Sequence, residues 1–307
     1  MVRRGQARQG ATGRGFIDPK ALARISNLEL VARTVVDGFL SGLHRSPHLG
    51  VSLDFAEHRP YMPGDDIRWV DWKLQGRTDR FYVKRFEADT NASLAVMLDV
   101  SGSMGFASDG LSKLAYGKFL AASLAYFSSK QRDRVGLVSF SDGIREYVPP
   151  AAKHLDTVLH RIATSEASGP SALRPVVTKV AEAMRRRSLI LVISDFYEDP
   201  TEVVDSIGLL AYQGHEVVVF QVMDPAEIDF PYEEAAPFVD LETGEELPVV
   251  PETLADRYRD LMRAHLAAIE SGFRKRGVDY TLVRTDQPLD HALFAYLSTR
   301  ERMSRVR

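Results

Sequence analysis

An aspartate and two serines at alternate positions, Asp99-x-Ser101-x-Ser103, follow Leu94-Ala95-Val96-Met97-Leu98, an apolar run fit for a buried strand. One carboxylate and two hydroxyls make a set of hard oxygen donors, suited to Mg²⁺, Ca²⁺ or Mn²⁺ rather than to zinc or copper. Two neutral hydroxyls and one acid leave a divalent ion short of negative charge, so more must come from elsewhere in the chain. Asp195 is the candidate, closing Leu189-Ile190-Leu191-Val192-Ile193-Ser194, a second continuous apolar run of strand length. Ser171, in the loop Ser168-Gly169-Pro170-Ser171-Ala172-Leu173, offers a further hydroxyl. The same residue types also cap a strand-to-helix turn that binds nothing. The distant acid at the end of a second strand is what tilts the pattern toward a metal.

Two such strands must lie in one parallel sheet for their acids to meet. Continuous apolar runs are the mark of strands buried on both faces, and helical segments between them supply the crossovers. Their carboxyl ends then share one edge, where open α/β sheets place ligands. The periodicity predicts a strand over 93–98, a helix from about Ser112 to Lys130 that is apolar almost all round, and a strand over Arg134–Phe140. Asp142-Gly143 is a hairpin turn leading into Ile144–Val148. Helices follow near 151–165, 172–186 and 200–212, with a strand over Glu216–Val222. Phe238–Leu241 and Leu247–Val250 read as an inserted hairpin around Glu242-Thr243-Gly244-Glu245. A helix over Pro251–Arg276 carries Leu254, Tyr258, Leu261, Met262, His265, Ile269 and Phe273 on one stripe, before a last strand near Tyr280–Val283 and a helix opened by Pro288. Upstream, Asp18-Pro19 starts a single helix through Leu22, Ile25, Leu28, Ala32, Val35, Val36 and Phe39, and Arg80–Phe86 alternates as a strand.

The Asp99-x-Ser101-x-Ser103 box, a later Ser/Thr loop and a later Asp resemble the metal-ion-dependent adhesion site of von Willebrand factor A domains, over roughly residues 92–285. A second stretch, Glu57-His58-Arg59-Pro60-Tyr61-Met62-Pro63-Gly64-Asp65-Asp66-Ile67-Arg68-Trp69-Val70-Asp71-Trp72-Lys73 with Tyr82-Val83-Lys84-Arg85-Phe86-Glu87, resembles the signature of the bacterial family called domain of unknown function 58. The resemblance implies an α/β, Rossmann-like von Willebrand factor A-type domain, its mostly parallel central sheet flanked by helices, plus an N-terminal helix and a small β-rich attachment. Residues 1–15 are then a disordered basic tail, 16–91 the helix and signature region, and 92–307 the A-like domain with a hairpin inserted near 224–250. The implied metal set is Asp99, Ser101, Ser103, Ser171 and Asp195 around Mg²⁺ (or Ca²⁺ or Mn²⁺). Within the signature, Glu57, Arg59, Tyr61, Pro63, Gly64, Asp65, Asp66, Arg68, Asp71 and Trp72 have no assigned role, and a Pro-Gly-Asp turn needs no chemistry to account for it.

The chain has 307 residues, a net charge of −3, 45% hydrophobic and 26% charged residues, and no cysteine. This balance argues against a nucleic-acid footprint, which would be basic, and the lack of cysteine excludes disulfides and thiolate metal sites. The first fifteen residues hold Arg3, Arg4, Arg8 and Arg14 without an apolar stretch, so they are no secretory signal. No segment reaches the roughly twenty apolar residues that cross a bilayer, and the expectation is a cytoplasmic protein. His215 and His265 read as surface or core-edge residues, and no Gly-x-x-x-x-Gly-Lys-Ser/Thr phosphate loop is present. The resemblance implies a non-enzymatic, metal-dependent protein-binding module. It is an adaptor or co-chaperone working with a MoxR-type AAA+ ATPase and a client, with a partner's acidic side chain completing the ion's coordination. The alternatives are a metal-dependent hydrolase, for which no Lys, His or Glu stands beside the Asp-x-Ser-x-Ser turn in sequence, and a scaffold with a vestigial site.

Overall fold

The computed structural model describes residues 18–25, 27–44, 57–60, 82–85 and 92–305. Two helices, α1 (Pro19–Leu22) and α2 (Leu28–His44), precede a two-stranded antiparallel ladder of β1 (Glu57–Pro60) and β2 (Tyr82–Arg85). The domain that follows runs β3 (Ser93–Asp99), α3 (Lys113–Lys130), β4 (Arg134–Phe140), β5 (Ile144–Ala151), α4 (Leu155–Thr164), α5 (Leu173–Ala183), β6 (Leu189–Ser194), α6 (Pro200–Tyr212) and β7 (Glu216–Met223). It continues with α7 (Pro225–Asp229), β8 (Ala236–Val239), β9 (Glu246–Val249), α8 (Pro251–Lys275), β10 (Asp279–Arg284) and α9 (Asp290–Arg305).

Six strands form one sheet in the order β10-β7-β6-β3-β4-β5. Every neighbouring pair is parallel except β4 with β5. Counted from β3 this is the doubly wound order 3-2-1-4-5-6 with its third strand reversed, so the chain winds one way from β3 to β5 and the other way from β6 onward. The fold is Rossmann-like, a mostly parallel sheet flanked by helices as the apolar runs anticipate, and it agrees with the A-type architecture that the resemblance implies. The turning point lies between β3 and β6, where the two acid-tipped strands pair directly, Leu98 opposite Ile193.

Those strands are buried on both faces because alternate residues enter different cores. Leu94, Val96, Leu98, Leu191 and Ile193 face a core shared with α2, α3, α4 and α9. Ala95, Met97, Ile190 and Val192 face one built with α5, α6 and α8. Full burial of each such side chain contributes about 1.5–3 kcal/mol. Helix α3 is buried round nearly its whole circumference, since α2 covers the side turned away from the sheet.

Three expectations change. The N-terminal helix is two helices: Asp18 caps the first, accepting from Lys20 N at 2.9 Å, and Asn27 accepts from Leu30 N at 3.1 Å to start a second. An Asn side chain that bonds the backbone locally competes with helix continuation, and here it wins. The apolar stripe of α8 is only partly covered: Met262, Ile269 and Phe273 are buried, whereas Leu254 and Leu261 are 41% and 61% exposed. The inserted hairpin begins two residues early, at Ala236, and a short capped helix, α7, precedes it. Asp224 and Glu227 form its capping box, a pattern visible as Asp-Pro-x-Glu but not read as a helix start. Among the described residues no helix is long and apolar enough to cross a membrane.

Candidate functional site

Asp99 ends β3, and the backbone then turns sharply into a short 3₁₀ segment over Gly102–Gly105. Ser101 N donates to Asp99 Oδ1 at 2.8 Å, closing the turn on its own carboxylate, and the Ser101 and Ser103 hydroxyls stand 3.1 Å apart. From the neighbouring strand, Ser194 Oγ donates to Asp99 Oδ2 at 2.6 Å. Asp195 follows directly, its backbone carbonyl held by Gln221 Nε2 at 2.7 Å. Asp99 and Asp195 are both buried, 0% and 1% exposed. Burial first, then the neighbouring Asp195 charge, pushes the Asp99 carboxyl up to about 7, against the opposing pull of the Ser194 and Ser101 donors. The two acids therefore meet at one rim, the juxtaposition on which the sequence argument depends.

Backbone bonds draw the loop carrying Ser171 to the same place: Gly102 N donates to Gly169 O at 2.7 Å and Ser168 N to Val100 O at 2.8 Å. The Ser171 hydroxyl, however, donates to Glu198 Oε1 at 3.0 Å, and Leu173 N donates to the same oxygen at 2.8 Å. Glu198 thus caps α5, where a carboxylate suits the positive end of the helix dipole. Ser171 shares a cleft of about 370 Å³ with Ser103, Phe106 and Tyr197 without bonding to Asp99 or its turn.

Sequence reasoning missed the cation. Lys113 opens α3, is completely buried, and donates to Asp195 Oδ2 at 2.7 Å and to Glu227 Oε1 at 2.5 Å. Its ammonium also lies 4.7 Å from the Tyr197 ring centroid. Burial pulls its pKa down, but Asp195 and Glu227 together outweigh this and leave it raised. Glu227 moves upward, because its own burial exceeds the help it draws from Lys113. No Lys, His or Glu stands beside the Asp-x-Ser-x-Ser turn in sequence, and spacing along the chain hid the Lys113 and Glu227 pair that the fold brings to Asp195. The available signal was a single cation at the head of a helix apolar on every side.

The donors can be tested against a hard divalent ion. Oxygens at adjacent positions of an octahedral Mg²⁺ site, with bonds of about 2.1 Å, stand roughly 3 Å apart, which the Ser101–Ser103 spacing matches. Lys113 is engaged by Asp195 and Glu227, and among the described residues no cation is paired with Asp99. A buried carboxyl facing a second acid with no counter-charge of its own suits a cation, so Asp99, Ser101 and Ser103 fit the group. Asp195 does so only in competition with Lys113, and Ser171 only by leaving Glu198. Among the described residues no cluster of three or more His, Cys, Asp or Glu side chains could hold a metal; the donor set here is mainly hydroxyl. The histidines stand apart: His215 accepts from Ser188 N at 3.2 Å and meets Met184 O at 3.1 Å, and His265 meets Phe196 O at 2.8 Å. Of the signature residues, Glu57 and Arg59 lie on β1, while Tyr61, Pro63, Gly64, Asp65, Asp66, Arg68, Asp71 and Trp72 lie outside the described residues.

The tip between β8 and β9 closes the cleft. Ser171 N donates to Glu242 Oε2 at 3.2 Å, and a Cβ added at Gly102 would come within 2.3 Å of the Leu241 carbonyl oxygen. At the base of this hairpin, Phe230 packs against Tyr232, Phe238 and Tyr258 with ring centroids 5.2, 5.8 and 4.7 Å away.

Among proteins of known sequence, the chain is 28% identical over 298 residues to "Uncharacterized protein Rv1480" of Mycobacterium tuberculosis (strain ATCC 25618 / H37Rv), covering 94% of this chain and 93% of that one. "Uncharacterized protein MAV169" of Mycobacterium avium is 27% identical over 151 residues, 48% of this chain and 88% of its own. Among solved structures, the conserved hypothetical protein BatB from Bacteroides thetaiotaomicron superposes with a TM-score of 0.48 at 15% identity, covering 68% of this chain and 99% of that one. The SpRpn10 VWA domain gives 0.39 at 10% identity, covering 66% and 93%. The family described as "Protein of unknown function DUF58" matches residues 57–268, and the chain belongs to it.

Proposed function

We infer that this chain is a protein-binding module whose rim, formed by Asp99, Ser101 and Ser103, takes a hard divalent cation such as Mg²⁺, Ca²⁺ or Mn²⁺, and captures partners through an acidic side chain. The observation that carries the reading is the state of Asp99: buried, next to a second acid, and without a paired cation among the described residues. A cation held there mainly by neutral hydroxyls would keep positive charge to offer to a carboxylate. The chain's own part is positional. Ser194 and the Ser101 amide fix both Asp99 oxygens, while Lys113 pairs with Asp195 and Glu227 and holds them in place.

The resemblance of the signature region makes a MoxR-type AAA+ ATPase the leading partner, with this chain as adaptor or co-chaperone presenting clients from the cytoplasm. Binding, not catalysis, is favoured because Lys113 is already tied to two carboxylates and so is poorly placed to act as a base. Capture of the cognate ATPase on immobilised protein, with Mg²⁺ or EDTA and with wild type or Asp99→Ala, tests the reading. Retention in Mg²⁺ should drop at least about tenfold with EDTA or the variant. Capture indifferent to both would refute it.

A further inference from the structure

The Asp240–Glu245 tip brings a carboxylate of this chain into the cleft beside the rim. Glu242 accepts from the Ser171 amide just ahead of α5, in a cleft also lined by Ser103 and Glu198. The Leu241 carbonyl sits so close to Gly102, between Ser101 and Ser103 of the Asp-x-Ser-x-Ser turn, that only a hydrogen side chain fits. Among the described residues the arms of this hairpin pair only with each other, and Val239, Leu241 and Leu247 are 51%, 48% and 54% exposed. The base is anchored by aromatic packing on Phe230, whereas among the described residues the tip rests on one hydrogen bond and one close backbone approach. Such an element can swing away while its base stays seated.

We propose that the β8–β9 hairpin is a ligand in cis: Glu242 occupies the place a partner's acidic turn takes, and a partner binds by displacing it. This rests on the reading of the rim as a carboxylate-binding surface. It identifies the partner's recognition element as an acidic side chain on a β-turn, preceded by an apolar residue, the chemistry of Leu241-Glu242-Thr243-Gly244 itself. The apparent affinity for such a partner is lowered by the fraction of molecules in which the tip is seated.

A fluorescein-labelled cyclic peptide of residues 236–249 is the probe, titrated in Mg²⁺ and in EDTA against wild type, Glu242→Ala, and a chain whose residues 240–245 are replaced by Asn-Gly. Both altered chains should bind the probe in Mg²⁺ roughly tenfold tighter than wild type, and a probe with alanine in place of its Glu242 should not bind. Hydrogen exchange at the Ser171 amide should quicken in Glu242→Ala, a readout that needs no ligand. Equal probe affinity for the three chains, no binding to any, or unchanged Ser171 exchange overturns the proposal. Tighter binding by the altered chains that persists in EDTA upholds the cis ligand and overturns only the metal reading.

Discussion

At the scale of single residues, Lys113 is held from two sides. It is a fully buried ammonium between Asp195 and Glu227. A buried ion pair adds little over an apolar replacement of the whole set, but removing one partner strands the other charges. Lys113→Met should therefore destabilise the protein by about 3–5 kcal/mol in urea unfolding at neutral pH. The loss should shrink in acid, as Glu227, whose carboxyl is raised by burial, becomes protonated. A loss of under about 1 kcal/mol would mean that water already screens these carboxylates. Asp99, Ser101, Ser103 and Asp195 are legible in the sequence because each sits at or just past the end of an apolar run. Lys113, Glu198, Glu227 and Glu242 are not, since they come from four separate loops or helix starts whose meeting depends on the sheet order.

At the scale of elements, the strands are the easiest part to read, because burial on both faces keeps β3 and β6 apolar up to their last residues and leaves the acid as a terminator. Helix boundaries are harder where side chains compete with the backbone, as Asn27 does between α1 and α2. The inserted hairpin can be read as a hairpin, but nothing in its sequence says that it folds over the rim. The junction of β4 and β5 yields a separate prediction. A Cβ at Gly136 would lie 2.6 Å from Val148 O and 2.7 Å from Pro150 N, both backbone atoms, where the register between the strands shifts. Gly136→Ala should cost about 1–3 kcal/mol through overpacking, measured as a lowered midpoint in denaturant. An unchanged midpoint would show that β5 can move aside freely.

At the scale of the whole molecule, the proposed metal site would couple pH, metal and stability at the rim. Asp99 is raised in the folded protein to about 7, above its ordinary value of 3.8. The folded state thus holds this proton more tightly than the unfolded chain does. Stability is lost as pH climbs from the usual carboxylate range through about 7. In EDTA, Asp99→Asn should accordingly raise the melting temperature at pH 8 by the equivalent of roughly 1–3 kcal/mol and change it little at pH 4. A Mg²⁺ at the proposed site would bind only the ionised carboxyl, so its stabilisation of the wild type should grow between pH 6 and 8 and vanish in Asp99→Asn. A variant less stable than wild type at pH 8 would contradict this. Strand β5 is an outer edge of the sheet, and its Pro149 and Pro150 offer no backbone N–H in two consecutive places. A visiting strand cannot complete its hydrogen-bond ladder there, so this flank resists fibrous self-association and sheet-to-sheet dimerisation alike.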